Sequence, residues 1–571
     1  SRRRGSELLI VLFSPKLSVD MASGVDERLT TLENRVAGLE GKLDRLLALL
    51  ERPQNSGAEA VEARQPFADR LRDEVAKGGP IEEKQAAGKA KDEELEHMCI
   101  RAGTEDLHSL GGCQIERTEE RGITVLQLKA LLVHIGRRCS TEGWTSSNPT
   151  DPKLISSEDI NLYDAVYWVI KPVTREKKCS YVELVAAAAQ IPKWFVSHWW
   201  GEPVADFVAC LAQHSSDRKL REDSPYWVCA YANNQWLLGA DVTKDPAQSS
   251  FRKAISLADG TISVVDKCAF TYDRVWCCYE VATSLGGDVK DGYKYDIYTA
   301  CHCKDRQGKP CNAVGITDGI AASDKNLGDN KSKREDAFPL DIVDRALQVC
   351  LEDGKASVDS DRVHILNSIV GNFDLDADPV KKHSRYDELN AILNGRAASG
   401  ALRRGISAGN DTFDRYLTAI KNSPIETLQV SLSNCPEFTV EMAARLWVAL
   451  PTTLRICSIS NVAFETKVPD KFKDLTNLKT LSLRGWKKLK SLPQWIGELT
   501  KLKTIFLGKC SSLTDLPESL GSLPELQKID LSGCSSLTDV PEFGHHVKIQ
   551  LPKHLEEKKQ AAGEQSGSSD G

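Results

Sequence analysis

The chain has 571 residues, 41% hydrophobic and 27% charged, enough for several domains at ~100–200 residues each. Its 74 Lys and Arg against 81 Asp and Glu leave a net charge of −7, which argues against nucleic acid or an anionic membrane as the main partner. No run approaches the ~20 apolar residues of a membrane span, and 17 cysteines scattered from Cys99 to Cys534 point to a reducing, cytoplasmic compartment rather than a secreted disulfide scaffold.

Residues 1–20 carry a basic start and the apolar Leu8–Phe13, too short for a signal peptide, ahead of the first methionine, Met21. They are expected to be an untranslated or disordered leader. Over 21–50, Val25, Leu29, Leu32, Val36, Leu39, Leu43, Leu46 and Leu50 alternate spacings of four and three, the a/d seam of a coiled coil. Residues 25–50 would then gather chains into a homo-oligomer. Residues 51–95 are rich in Ala, Glu, Lys and Gly and lack Trp and Cys, so they read as a disordered linker, as does the tail 553–571.

Residues 96–192 read as helical. Thr124 can cap a helix with Leu128, Leu131 and Ile135 on one face, and Ser180 with Glu183 forms a capping box before a helix stopped by Pro192. From 193 to 305, short apolar runs alternate with amphipathic helices. Strands are expected at Lys193–His198, Tyr226–Tyr231, Thr261–Val265 and Tyr295–Tyr298. Helices are expected from Pro203, from a cap at Ser249 or Ser250, and from a cap at Asp273. Such alternation builds a flavodoxin-like parallel sheet covered on both faces, with ligands beyond the strands' carboxyl ends. The segments there are Ser197–Gly201, Ala232–Trp236 and Asp266–Trp276. Eight of the 11 tryptophans fall between Trp144 and Trp276, so chemistry is sought in this part of the chain.

The order FVSHWWGEP, SSFRKAI and RVWCCYEV resembles a TIR domain, which carries an F-x-S-aromatic-x-G turn after its first strand and a W-C-x-x-E motif on a later helix. The resemblance covers residues 193–305. The turn here is one residue longer, and AYANNQWLLGAD replaces the acidic pair and glycine expected after the second strand. In TIR domains that cleave NAD the motif's glutamate is catalytic, so the resemblance implies Glu280, with NAD as substrate rather than resident cofactor. A carboxylate beside the ribose can stabilise an oxocarbenium-like state. Ser197, His198, Trp199, Trp200, Gly201, Trp236 and Trp276 would line the site, the tryptophans stacking on a nicotinamide or adenine ring. The alternative is a non-catalytic interaction domain in which Trp276 is core and Glu280 an ordinary helix residue. Cys301, His302, Cys303 and Cys311 match no zinc spacing, and no metal is expected.

Residues 306–426 read as a helical connector. It has no G-x-x-x-x-G-K-[ST], so the nucleotide switch that plant resistance receptors place between TIR and repeat domains is not expected. Over 427–552, Leu478, Leu502 and Leu526 recur at 24 residues, as do Leu483, Leu507 and Leu531, following two degenerate copies. This is a leucine-rich repeat solenoid, similar to those of plant disease-resistance proteins. Cys435, Cys510 and Cys534 are expected to be buried where each strand turns. Thr480, Ser482, Arg484, Thr504, Phe506, Lys528, Asp530 and Ser532 are expected on the concave face, whose mixed chemistry suits a protein ligand. The whole is a multidomain α/β chain: a recognition and signalling protein, an NAD glycohydrolase, or a passive scaffold.

Overall fold

The computed structural model describes residues 112–241, 243–287, 289–304, 310–320 and 328–558. The leader, coiled-coil seam, linker and most of the tail lie outside the described residues.

The strand β1 (Ile123–Thr124) runs straight into helix α1 (Val125–Glu142). Thr124 is its cap: its hydroxyl accepts from the Gln127 amide, and the Gln127 side chain accepts from the Thr124 amide. The helix ends at Gly143, whose φ of 63° is the left-handed turn that favours glycine. A second capping box, Ser180 with Glu183, opens α2 (Tyr181–Val185). That helix is shorter than expected, because Ala186 is already extended at φ −102° and ψ 140° and the alanine run does not continue it.

Six strands form the first sheet, in the order β1, β3 (Pro225–Trp227), β2 (Trp194–His198), β4 (Gly260–Val264), β5 (Lys294–Lys304), β6 (Pro310–Ile316). The four central strands are parallel and the two edges antiparallel. Alternation along β2 sends Trp194 and Val196 to one face, against α1 and α3 (Val204–Asp217), and Phe195 to the other, against α4 (Ser250–Leu257). Helix α5 (Val275–Leu285) also packs on that second face. Ser249 caps α4 by accepting from the Arg252 amide.

Several local expectations fail. The run 226–231 is strand only to Trp227; Cys229–Ala232 coils into a helical turn. Asp273 does not cap α5; the cap residue is Arg274, with no side-chain bond, and Asp273 pairs with Lys355 at 3.3 Å. The final strand runs past Tyr298 to Lys304 and pairs with antiparallel β6, which places Cys301 and Cys303 on one strand and Cys311 on the other. Across the sheet lies a buried ionic knot. Asp296 on β5 accepts from His214 at 3.1 Å and from Arg218 at 2.8 Å, while Tyr226 lies 2.8 Å from the other His214 nitrogen.

The connector is part of the core rather than a tether. Helices α6 (Asp359–Val370), α7 (Ser384–Gly400) and α8 (Asn410–Asn422) bury Leu366, Leu389, Leu393, Phe413 and Tyr416 in one apolar cluster that runs from Val275 on α5 to Leu531 in the repeats. A second, wholly parallel sheet follows: β7 (Thr427–Ser431), β8 (Ile456–Ser460), β9 (Thr480–Ser482), β10 (Thr504–Phe506), β11 (Lys528–Asp530) and β12 (Lys548–Gln550). Trp486, Cys510 and Cys534 occupy one rung, each donating to the carbonyl of Ile459, Leu483 or Leu507 in the preceding repeat. Cys435 departs from that pattern and is only half-buried. Among the described residues no helix is long and apolar enough to cross a membrane.

Candidate functional site

In a doubly wound sheet the crevice opens where the strand order reverses, here between the loops after β2 and β4. The pleat sends Ser197 to the α5 side of β2 and His198 to the α3 side, where its ring lies 4.8 Å from Phe207. The last turn of β2 therefore contributes to both faces of the sheet.

On the α5 side sits Glu280. It is 4% exposed, and its carboxyl faces the Ser197 hydroxyl and the Cys277 thiol. Burial raises its pKa to about 8 against a smaller opposing pull from those two groups, so the carboxyl holds its proton at neutral pH. Its Oε2 has no well-aligned hydrogen bond. The Cys277 thiol is turned to the His198 carbonyl at 3.4 Å. Cys229 lies close by, its thiol pushed up to about 12 by burial and by Glu280, and it accepts from the Trp200 indole at 3.1 Å. Tyr163 of the helical lead-in closes the rim, its ring 5.4 Å from that of Trp200.

The other expected residues divide. Trp199 folds back over Gly201, where a Cβ would stand 2.2 Å from the indole, and meets Phe270 at 5.0 Å. Gly201 is thus required by a close approach. Trp276 stacks on Phe251 at 4.9 Å and donates to Asp361 of α6 at 3.0 Å, so its ring is committed to the core rather than to a ligand. Trp236 sits against the lead-in: its indole donates to Thr174, and Lys178 lies 3.3 Å over the ring. His198 is neutral, its pKa lowered by burial to about 4.

One residue escaped the sequence reading. Glu202, directly after the Trp199–Gly201 turn, is buried with Oε2 unpartnered, and burial followed by Asp266 and Asp206 holds its carboxyl far above the usual range. Nothing in its local pattern marks it. Two clefts of about 470 Å³ open elsewhere, one lined by Arg117, Arg121, Asn234 and Lys253, the other by Cys268, Tyr272, Arg345 and Cys350. Glu280 lines neither. The arrangement stores a proton on a buried acid at the strand ends and keeps it from solvent. Among the described residues, no group of His, Cys, Asp or Glu is placed to hold a metal ion.

On the repeats, Thr480, Thr504 and Lys528 align in one row, and Ser482, Phe506 and Asp530 in the next. Arg484 reaches across two strands to Asp530 at 3.0 Å, and Asp530 also accepts from the Ser532 amide at 2.9 Å. Lys528 stands 5.4 Å over the Phe506 ring. Ser482 and Asp530 are buried beneath this layer, which leaves Thr480, Arg484, Thr504, Phe506, Lys528 and Ser532 as the accessible set.

Residues 453–534 match the leucine-rich repeat family described as R13L1/DRL21 LRRs. A solved structure, the leucine-rich repeat domain of the type III effector XopL, aligns with 38% of this chain and 97% of its own at 16% identity. Its TM-score of 0.12 leaves the repeat assignment resting on the periodicity and the family match. No curated protein matches the chain.

Proposed function

We propose that the chain is a recognition protein whose leucine-rich repeats bind a protein partner and whose TIR-like α/β domain acts as adaptor or effector by self-association. The carrying observation is the face on the repeats, where an aromatic ring under a lysine ammonium and a pair of threonines stand on three adjacent parallel strands. Phe506 supplies an aromatic ring of the kind enriched at protein interfaces, mounted on a strand. The continuous core from α5 through the connector to the repeats offers a mechanical path by which partner binding reaches the α/β domain. Homo-oligomerisation through residues 25–50 belongs to the same proposal and would concentrate TIR-like domains. Thiols used as buried donors, such as Cys277, Cys510 and Cys534, support a reducing, cytoplasmic setting. The test is partner binding by wild type and Phe506→Ala; an unchanged affinity would sink the assignment of this face.

A second reading, NAD glycohydrolase, is favoured by one observation: a carboxyl buried at the carboxyl ends of parallel strands, its Oε2 without a hydrogen bond and its pKa raised by burial. Ser197 and Cys277 would hold that carboxyl, and Trp200 and Tyr163 would cover the base. NAD consumption by wild type and Glu280→Ala decides it, equal turnover removing the reading.

A further inference from the structure

Charge is distributed unevenly along the repeats. Between Lys479 and Lys509 there are eight Lys or Arg and a single carboxylate, Glu498; from Ser511 to Phe543 there are six carboxylates and one lysine, Lys528. Of the basic residues, Arg484 and Lys503 are paired with Asp530 and Glu525. Lys487, Lys488, Lys490 and Lys509 are all exposed, and none joins an ion pair among the described residues.

Backbone bonds place these four together on the loops that leave the strands. Asn461, Gly485 and Lys509 occupy the same rung of successive repeats, each donating its amide to the next repeat, to Arg484, Gly508 and Ser532 at 2.8, 2.9 and 2.7 Å. The amide of Ser512 donates to the Lys487 carbonyl and that of Thr514 to the Lys490 carbonyl, so the Lys509 loop lies directly over the loop carrying Lys487, Lys488 and Lys490. Adjacent rungs of this kind are ~5 Å apart.

The conformation of that rung singles out Lys509. It requires positive φ in every repeat: 53° at Asn434, 64° at Asn461, 75° at Gly485, 64° at Lys509 and 76° at Gly533. Asn and Gly adopt this region at the least cost and lysine less readily, although Lys178 and Lys219 also adopt it elsewhere in the chain. In one repeat only, the backbone carries a strained lysine, and that lysine completes the unpaired cluster.

We infer that Lys487, Lys488, Lys490 and Lys509 form a docking corner for an acidic segment of a protein partner. This deepens the protein-recognition reading by naming the partner's chemistry. Four ammonium groups on two adjacent loops match a short run of carboxylates. A long polyphosphate chain fits less well, because it would continue over the six carboxylates of the following repeats and meet a chain of net charge −7. Desolvated lysines paired with carboxylates add affinity and, above all, association rate.

The experiment titrates the full chain with a fluorescent ten-residue peptide containing four consecutive glutamates, and with oligouridylate of equal charge. The peptide is expected to bind, to weaken as salt rises, and to lose roughly 1.5–5-fold in affinity in Lys509→Gly, the size of one exposed charge contact. The triple variant Lys487→Gln, Lys488→Gln, Lys490→Gln should lose more. Lys509→Gly places in this repeat the glycine of its neighbours, so its melting temperature should be unchanged or higher, which separates lost binding from lost folding. Peptide affinity unchanged in both variants, or oligouridylate bound as tightly as the peptide, overturns the inference. Peptide binding lost in Phe506→Ala but intact in Lys509→Gly would overturn it while sparing the face around Phe506.

Discussion

Glu280→Gln is the substitution that most directly probes the buried acid. In the fold the carboxyl titrates near pH 8, whereas its ordinary value is 4.5. A raised pKa means that the folded state keeps the proton while the unfolded chain releases it. The contribution to stability is therefore full below about pH 4.5 and is lost progressively as the pH climbs towards 8. At pH 7 the gap is roughly 2.5 pH units, or about 3 kcal/mol at 1.36 kcal/mol per unit. Glutamine cannot ionise, so the stability difference between wild type and variant should shift by that amount between pH 4.5 and pH 7, in the variant's favour. Other buried acids, among them Glu202 and Glu335, also bend the wild-type curve, but they cancel in the difference. Urea unfolding followed by tryptophan fluorescence reads this domain, since eight of the 11 tryptophans lie between Trp144 and Trp276. A difference that stays flat from pH 4.5 to 8 would refute the burial argument.

Asp296→Ala should cost about 3–5 kcal/mol, because it strands Arg218 and His214 in the sheet without their carboxylate; thermal unfolding measures it. Gly201→Ala forces the Trp199 ring away and should cost about 1–3 kcal/mol with a shift in tryptophan emission. Trp486→Phe removes the donor to the buried Ile459 carbonyl and should destabilise the repeats by about 1–3 kcal/mol in urea titration.

The repeats were legible because one signal, a 24-residue period with leucines in register, is written in the chain itself. The caps at Thr124 and Ser180 were legible for the same reason: their partners lie three residues away. What failed depends on distant partners. Short apolar runs do not distinguish strand from helix, and 226–231 divides at Val228. The polar stretch after Tyr298 gains its strand pairing only from β6, and β12 follows β11 by 20 residues rather than 24, with His546 where the earlier repeats have leucine. Trp276 looked available until Asp361, 85 residues on, took its indole. Glu202 carries no local sign because burial is a property of the whole fold.

The central claim, that the face around Phe506 meets a protein, is tested most directly by site-specific photocrosslinking. A photoreactive residue at Phe506 is compared with one at Glu518, which lies on the 3₁₀ turn between β10 and β11. The account predicts a discrete crosslinked protein from position 506 and none from 518. The same adduct at equal yield from both positions, or from 518 alone, would contradict it.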